Sequence, residues 1–344
     1  MKVLIQSYNT CFQNNAGGIK VRINNFQRSL AAKGIKVDCF NKFRDIITDY
    51  DLVHIFKLDC ENLALIKLAK SNNIPVVMST VILCNEGYKI LSYRILKKLC
   101  PILMTTYRRL IEALELCDVL ICESNCEKDF IKKFYGIDNN KIVVIPNGVE
   151  LQSRDLSEDN NIFSKIGNVY EYVLQVGRFD KNKNQLNVIK AFKNTDIHIV
   201  FIGGADKSDQ KYFNECKREA EGSHNFHFLG WVEYGSNLLF SAYKNAKVVA
   251  MPSYHETFGL TIIEGGFMGA NLAISKNLPI LEYGIFDHCQ KFDPSSPKDI
   301  KEKILIELKK NKSSKLKENI ITTFSWSSVS NKHIEIYNEL VKEK

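Results

Sequence analysis

Two acids, Glu256 and Glu264, stand eight positions apart in the stretch Pro252-Ser-Tyr-His-Glu-Thr-Phe-Gly-Leu-Thr-Ile-Ile-Glu-Gly-Gly-Phe-Met-Gly269. An apolar run, Val248 to Met251, stops at Pro252, and helical spacing starts near Gly259. The first acid therefore falls on a strand-to-helix turn and the second inside the helix, on a neighbouring face below its mouth. The first-turn amides of Gly259, Leu260 and Thr261 have no intrahelical acceptor, and with the positive end of the helix dipole they suit an anion such as a phosphate. An acid beside a phosphate is costly, so these two need other work. Carboxylates accept well from pairs of hydroxyls, as sugars and riboses present them. A dipole-complementing acid followed by a solvated one fits the same residues.

A second segment, Leu174-Gln-Val-Gly-Arg-Phe-Asp-Lys-Asn-Lys-Asn184, runs an apolar strand into a turn at Gly177 followed by basic residues. Arg178 brings a planar fork and Lys183 a mobile point charge. If both reach one diphosphate, each charge-assisted bond contributes roughly 1.5–3 kcal/mol. A third segment, Lys141-Ile-Val-Val-Ile-Pro-Asn-Gly-Val-Glu150, is expected to be a short buried strand halted by Pro146 and turned by Asn147-Gly148, as at the end of a domain. Upstream, Ser124 is placed to cap a helix with Glu127 at its third position, as in a capping box. At the N-terminus, Lys2 to Gln6 reads as a strand, and Ala16-Gly17-Gly18 opens a helix through Leu30, so backbone can approach a ligand closely there.

These segments, in this order, resemble the retaining glycosyltransferases of family 4, group 1. Glu256 to Glu264 resembles the family's Glu-x7-Glu segment, Gly177 to Lys183 its Gly-Arg-x4-Lys signature, and Ile145 to Val149 its Ile-Pro-Asn-Gly-Val step. Gly17-Gly18 resembles its glycine loop, and Phe324-Ser-Trp326 with Tyr337 its last helix. The resemblance implies an α/β chain of GT-B fold, two Rossmann-like doubly wound parallel-sheet domains facing a central cleft. Its divisions would be an acceptor-side domain over 1–150, a linker over 151–165, a nucleotide-sugar domain over 166–325, and a helix over 326–344 packing back towards the first domain. It further implies that a nucleotide-diphosphate sugar is bound by Gly17, Gly18, Gly177, Arg178, Lys183, Phe258, Gly259, Leu260, Thr261 and Glu264. Glu256, Arg178 and Lys183 would carry the transfer, without metal or cofactor. The acceptor would be a glycan or a lipid-linked molecule, as in cell-surface polysaccharide synthesis.

The chain departs from the family pattern twice. Many relatives carry a histidine in the loop after Pro75-Val-Val-Met-Ser-Thr80; here it reads Val81-Ile-Leu-Cys-Asn-Glu-Gly87, leaving Ser79, Thr80, Asn85 and Glu86 as unranked substitutes. Gly269-Ala-Asn271 stands where Gly-x-Pro is usual. His54, on the preceding strand, reads as a core histidine. A GT-B epimerase and a non-catalytic sugar-nucleotide-binding protein are the other readings. A nicotinamide dehydrogenase is disfavoured, because Gly-x-Gly-x-x-Gly is absent.

To position such loops the chain needs alternating strands and helices, and it has them. Strands are expected at Lys36 to Phe40, Leu52 to Phe56, Val76 to Ser79, Val119 to Cys122, Tyr172 to Val176, His198 to Ile202 and Val248 to Met251, which means parallel sheets covered by helices. The 344 residues exceed one ordinary core, and 45% hydrophobic with 25% charged is globular chemistry. The ten cysteines are scattered and read as reduced core residues of a cytoplasmic protein. Asp49-Tyr-Asp51 immediately precedes a strand and suits strand entry better than a Mg2+ site. Residues 1–150 hold 21 Lys and Arg against 15 Asp and Glu, so most of the net +8 lies in that half. Within it, Lys89 to Arg109 carries six basic residues and no acid, interleaved with Leu91, Ile95, Leu96 and Leu99. This is either a helix with its apolar side in the core or a surface that rests on an anionic membrane. No nucleic-acid-binding pattern is present.

Overall fold

A computed structural model describes residues 1–13, 18–84, 90–92, 105–149, 162–312 and 314–342. It divides into two compact units, Met1–Glu150 with Phe324–Lys344, and Leu151–Thr323. The expected loop at Gly17, the substitutes Asn85 and Glu86, the middle of the basic 89–109 stretch and most of the expected linker lie outside the described residues.

In the first unit, β1 (Lys2–Gln6), α1 (Gly18–Ala31), β2 (Lys36–Cys39), β3 (Leu52–Phe56), α2 (Leu63–Ser71), β4 (Val76–Ser79), α3 (Thr106–Leu116), β5 (Val119–Cys122), α4 (Asn125–Phe130) and β6 (Ile142–Val144) build a parallel sheet of order β2-β1-β3-β4-β5-β6. Strand alternation feeds two cores, one per face. Leu4, Val53 and Ile55 pack with Ile66 and Ile111 on one side, and Val3, Ile5, Leu52 and Phe56 pack with Phe26 and Tyr337 on the other. The central strands β3 and β4 are buried at every position, as a two-sided parallel sheet requires. The third segment is less buried than its apolar letters suggest. Among the described residues β6 pairs only with β5, and as an edge strand it leaves Val143 37% exposed.

The second unit contributes α5 (Ile162–Lys165), β7 (Tyr172–Val176), α6 (Gln185–Phe192), β8 (His198–Ile202), α7 (Gln210–Ala220), β9 (Phe226–Phe228), α8 (Asn237–Asn245), β10 (Val248–Met251), α9 (Leu260–Phe267), β11 (Asn271–Ser275), β12 (Gln290–Phe292), α10 (Pro297–Leu308) and α11 (Ser314–Phe324). Its parallel sheet runs β12-β11-β10-β7-β8-β9, so chain order reverses between β7 and β10. In doubly wound sheets the crevice beyond such a reversal, at the carboxyl ends of the two strands, is where ligands sit. β9, β11 and β12 were not foreseen: β9 and β12 are three residues long, and β11, of five, opens on a polar residue. Asn271, read from sequence as part of a turn, instead opens β11 and donates to the carbonyls of Glu307 and Lys310 at 2.9 and 3.0 Å.

The last helix, α12 (Trp326–Lys342), belongs to the first unit. Ser29 Oγ on α1 donates to the Trp326 carbonyl at 3.0 Å, and the Tyr337 hydroxyl meets His54 Nδ1 at 2.5 Å. His54 is fully buried, with its Nε2 2.9 Å from Ser79 Oγ, so it is a satisfied core residue. Burial holds its pKa well below the ordinary histidine value, with His333 and Arg22 pushing the same way. The described cysteines are all free thiols, and Asp51 accepts from the Lys2 amide at 2.7 Å, which is its strand-entry role.

Candidate active site

The turns that leave β7 and β10 flank the reversal of the second sheet, and side-chain bonds fasten them to each other. Asn182 Nδ2 donates to the His255 carbonyl at 2.8 Å, and Asn182 Oδ1 accepts from the His255 amide at 2.9 Å. The Tyr254 amide donates to the Asn182 carbonyl at 2.9 Å. Asn184, in the left-handed region that asparagine tolerates, donates to the carbonyls of Pro252 and Pro294. Within the β7 turn, Asp180 Oδ1 accepts from the Lys183 amide at 2.8 Å, and Gln175 Nε2 donates to the Lys183 carbonyl at 2.8 Å. The apparently ordinary amides of this turn are thus its scaffold.

Two cations project from that scaffold. Lys183 Nζ lies 2.5 Å from Glu256 Oε1, with both side chains largely buried. Arg178 places Nη2 3.0 Å from Asp180 and Nη1 2.9 Å from Asp206, the latter in the loop after β8. Sequence reasoning expected Arg178 and Lys183 to converge on one diphosphate. In the structure Arg178 is paired with Asp180 and Asp206, and Lys183 with Glu256. Asp206 follows Gly203-Gly204-Ala205 with no spacing that links it to Arg178, so only the fold reveals the pair.

Gly259 caps α9 at φ +116, a conformation open to glycine, and a Cβ there would stand 2.9 Å from Met251 Cε. Leu260 and Thr261 follow in the first helical turn, their amides free of intrahelical partners. The Thr261 hydroxyl is turned to Met251 Sδ at 3.6 Å. Phe258, expected among the donor-binding residues, has its side chain 1% exposed and packed edge-on to Tyr283, where it shapes the turn. Gly18 opens α1 as an exposed residue.

Glu264 accepts a hydrogen bond from the Tyr243 hydroxyl on α8 at 2.7 Å. Burial pushes its carboxyl up to about 7, while the bonds from Tyr243 and Tyr234 pull the other way. Neither tyrosine was singled out from sequence, since each lies more than twenty positions upstream. Trp231, after β9, is a third addition. It is 55% exposed and lies against Gly204 beside Asp206. Among the described residues, no group of three or more His, Cys, Asp or Glu is placed to hold a metal ion, and no helix is long and apolar enough to cross a membrane.

A fastened pair of turns that offers two cations, a helix mouth and two acids at a sheet reversal is a place to bind a phosphorylated, hydroxyl-rich molecule. Comparison with known families gives the same direction. Residues 158–323 match the model for glycosyl transferases group 1, and residues 40–153 match that for glycosyltransferase family 4, most of the chain between them. The chain belongs to the group 1 glycosyltransferases.

Among its relatives, an uncharacterized glycosyltransferase of Methanocaldococcus jannaschii is 28% identical over 171 residues, 47% of this chain and 43% of the relative's length. The chain therefore spans less than half of that protein. A processive diacylglycerol alpha-glucosyltransferase of Acholeplasma laidlawii is 22% identical over 275 residues, 77% of this chain and 76% of the relative. Two solved structures of similar fold are Anabaena HepE in complex with UDP and glucose (TM-score 0.73, 14% identity, 98% of this chain and 99% of the other) and sucrose-phosphate synthase from Thermosynechococcus elongatus (TM-score 0.75, 16% identity, 100% and 99%). At these identities the likeness is one of fold, and that fold is GT-B, two parallel α/β domains in one chain.

Proposed function

We propose that this glycosyltransferase moves a sugar from a nucleotide-diphosphate sugar to a glycan or lipid-linked acceptor, with retention at the transferred carbon. The observation that carries the reading is the contact of Lys183 with Glu256, which joins the basic turn of β7 to the acidic turn of β10 at the reversal of one sheet. A diphosphate entering there competes with the carboxylates for Arg178 and Lys183 and accepts from the amides at Gly259 to Thr261. Glu256, released from Lys183, takes hydroxyls of the transferred sugar, and Glu264 takes those of the ribose. Negative charge grows on the diphosphate as the glycosidic bond breaks. Fixed cations and amides therefore favour the transition state over the ground state, and no metal is assigned a role. The leaving phosphate assists deprotonation of the acceptor on the same face of the sugar, so a protein base is not obligatory.

Uridine is the first nucleoside to test, since HepE is described with UDP and UDP-glucose. A lipid-linked acceptor at an anionic membrane of the cytoplasm, as in cell-surface polysaccharide synthesis, is favoured by the basic excess of residues 1–150 and by the diacylglycerol named for the Acholeplasma relative. The experiment is a thermal-shift panel of UDP, GDP, ADP and their sugar conjugates on wild type and Glu264→Ala, because a ligand bound only by the folded state raises the melting point. A selective shift that vanishes in the variant supports the reading. Absence of any shift removes it.

A further inference from the structure

The segment after β4 is gripped by one buried carboxylate. Glu127, 2% exposed on α4, accepts through Oε1 from the Thr80 hydroxyl at 2.7 Å and from the Ile82 amide at 2.6 Å. Its Oε2 accepts from the Glu123 amide at 2.8 Å, and its own amide donates to Ser124 Oγ at 3.1 Å. Half of the expected capping box is therefore present. The reciprocal half is displaced, because the side chain reaches the residue before the cap and the β4 loop. Between its two loop donors lies Val81 at φ +48. A β-branched residue is an outlier in the left-handed region, and such strain persists only where surrounding bonds over-determine it.

Neighbouring groups complete the grip. Arg22 pairs with Glu123 and donates to Ser79 Oγ at 3.4 Å, and Ser79 also meets His54. Ser79 and Thr80 are fully buried and bonded inward, so neither presents its side chain to a ligand. What the β4 end offers instead is the backbone of Val81 and the residues after it, at the carboxyl edge of a parallel sheet, where such folds place their ligands.

We infer that Glu127 is a positioning residue for sugar transfer: by clamping Thr80 and Ile82 it holds Val81 in its left-handed conformation and sets the 80–84 loop in one transfer-competent form. The inference rests on the proposed transfer reaction, but the clamp itself is measurable without it. Glu127 touches no reacting atom in this role. It acts through the loop, so the rate depends on it while the hold on the diphosphate by Arg178, Lys183 and the helix mouth at Gly259, all in the second unit, does not.

The test uses the full chain as wild type, Glu127→Gln, the milder Thr80→Val, Val81→Gly and the Glu127→Gln/Val81→Gly pair. Three quantities are read: amide hydrogen exchange over residues 80–84, UDP affinity, and turnover of UDP-glucose. The expected result is faster exchange at Ile82 in Glu127→Gln and, to a smaller degree, in Thr80→Val. UDP affinity is unchanged, and turnover falls on the order of 10- to 100-fold, the scale of a misplaced positioning group. Val81→Gly, which takes φ +48 without strain, restores much of that turnover in the double variant. Unchanged exchange in Glu127→Gln overturns the inference, as does an equal fall in UDP affinity and turnover, or a double variant no faster than Glu127→Gln. A wild type that binds none of UDP, GDP and ADP counts against the proposed function, and the exchange measurement then decides the clamp alone; if GDP or ADP binds in place of UDP, that nucleotide and its sugar conjugate replace UDP and UDP-glucose in the other two readings.

Discussion

Lys183 Nζ and Glu256 Oε1 lie 2.5 Å apart although the two residues are 73 positions apart in sequence. The pair stores a cation and an anion that a nucleotide-sugar would use separately. Lys183→Met should lower UDP affinity by roughly 10- to 100-fold, the loss of one charge-assisted bond of about 1.5–3 kcal/mol. Glu256→Gln should leave UDP affinity equal or higher, because Lys183 loses its competitor, yet reduce turnover of the sugar conjugate. Calorimetric titration with UDP, set beside turnover, separates the two; parallel losses in both variants would refute the division of labour.

Arg178 and Lys181 provide a paired control on the same turn. Arg178 is held by Asp180 and Asp206, whereas Lys181 is exposed. Arg178→Ala should slow turnover at least about tenfold, and Lys181→Ala should change it less than about twofold, as for an ordinary surface charge. Equal effects in a steady-state assay would show that the turn acts only through its net charge.

Glu264 supplies a pH signature. Its carboxyl is raised by burial to about 7, against an ordinary value near 4.5. The folded state therefore binds the proton more tightly than the unfolded chain between these values, and this group's contribution to stability falls as pH rises from 4.5 to 7, then levels. Relative to Glu264→Gln, wild type should lose roughly 1–3 kcal/mol across that window in urea titrations. A difference that is flat with pH would mean the carboxyl titrates normally.

Tyr243→Phe tests the same site from its other side. The tyrosine hydroxyl donates to Glu264 at 2.7 Å, so its removal leaves a buried carboxylate short of a donor and should cost about 1–3 kcal/mol above pH 7. Below pH 6 the cost should shrink, since the protonated acid needs less support. A cost independent of pH would assign Tyr243 to packing alone.

How much of this was legible beforehand depended on whether the determinant was local. Strands such as Leu52–Phe56 and Val248–Met251 are unbroken apolar runs between polar loops, and buried parallel strands look like that. The turn residues Gly177 to Lys183 and the helix mouth at Gly259 were readable for the same reason. The fastening of those turns was not, because it depends on Asn182 meeting His255 across 73 positions. Asp206 and Tyr243 escaped for the same reason. The burial of the Phe258 ring was not legible either, because a motif records which residue is present and not which way it points. Gly148 was read as a turn residue, yet its Cα lies under the Trp326 ring, where a Cβ would approach to 2.4 Å. Gly148→Ala should therefore destabilise the first unit by about 1–3 kcal/mol, visible in denaturation followed by tryptophan fluorescence.

The chain leaves the first unit just past Val149 and re-enters it at Phe324, and at that point the Val149 amide donates to the Phe324 carbonyl at 2.9 Å while Val149 bridges Ser325. The whole second unit is thus an insertion whose entrance and exit are tied together by a backbone bond. For the first unit, docking the last helix means closing a loop as long as the whole second unit, and because that cost grows only with the logarithm of loop length, so large an insertion is tolerated here. Residues on either side of the tie are close enough for a short linker to rejoin them, so the first unit should fold with the second one removed, which circular dichroism of the shortened chain checks.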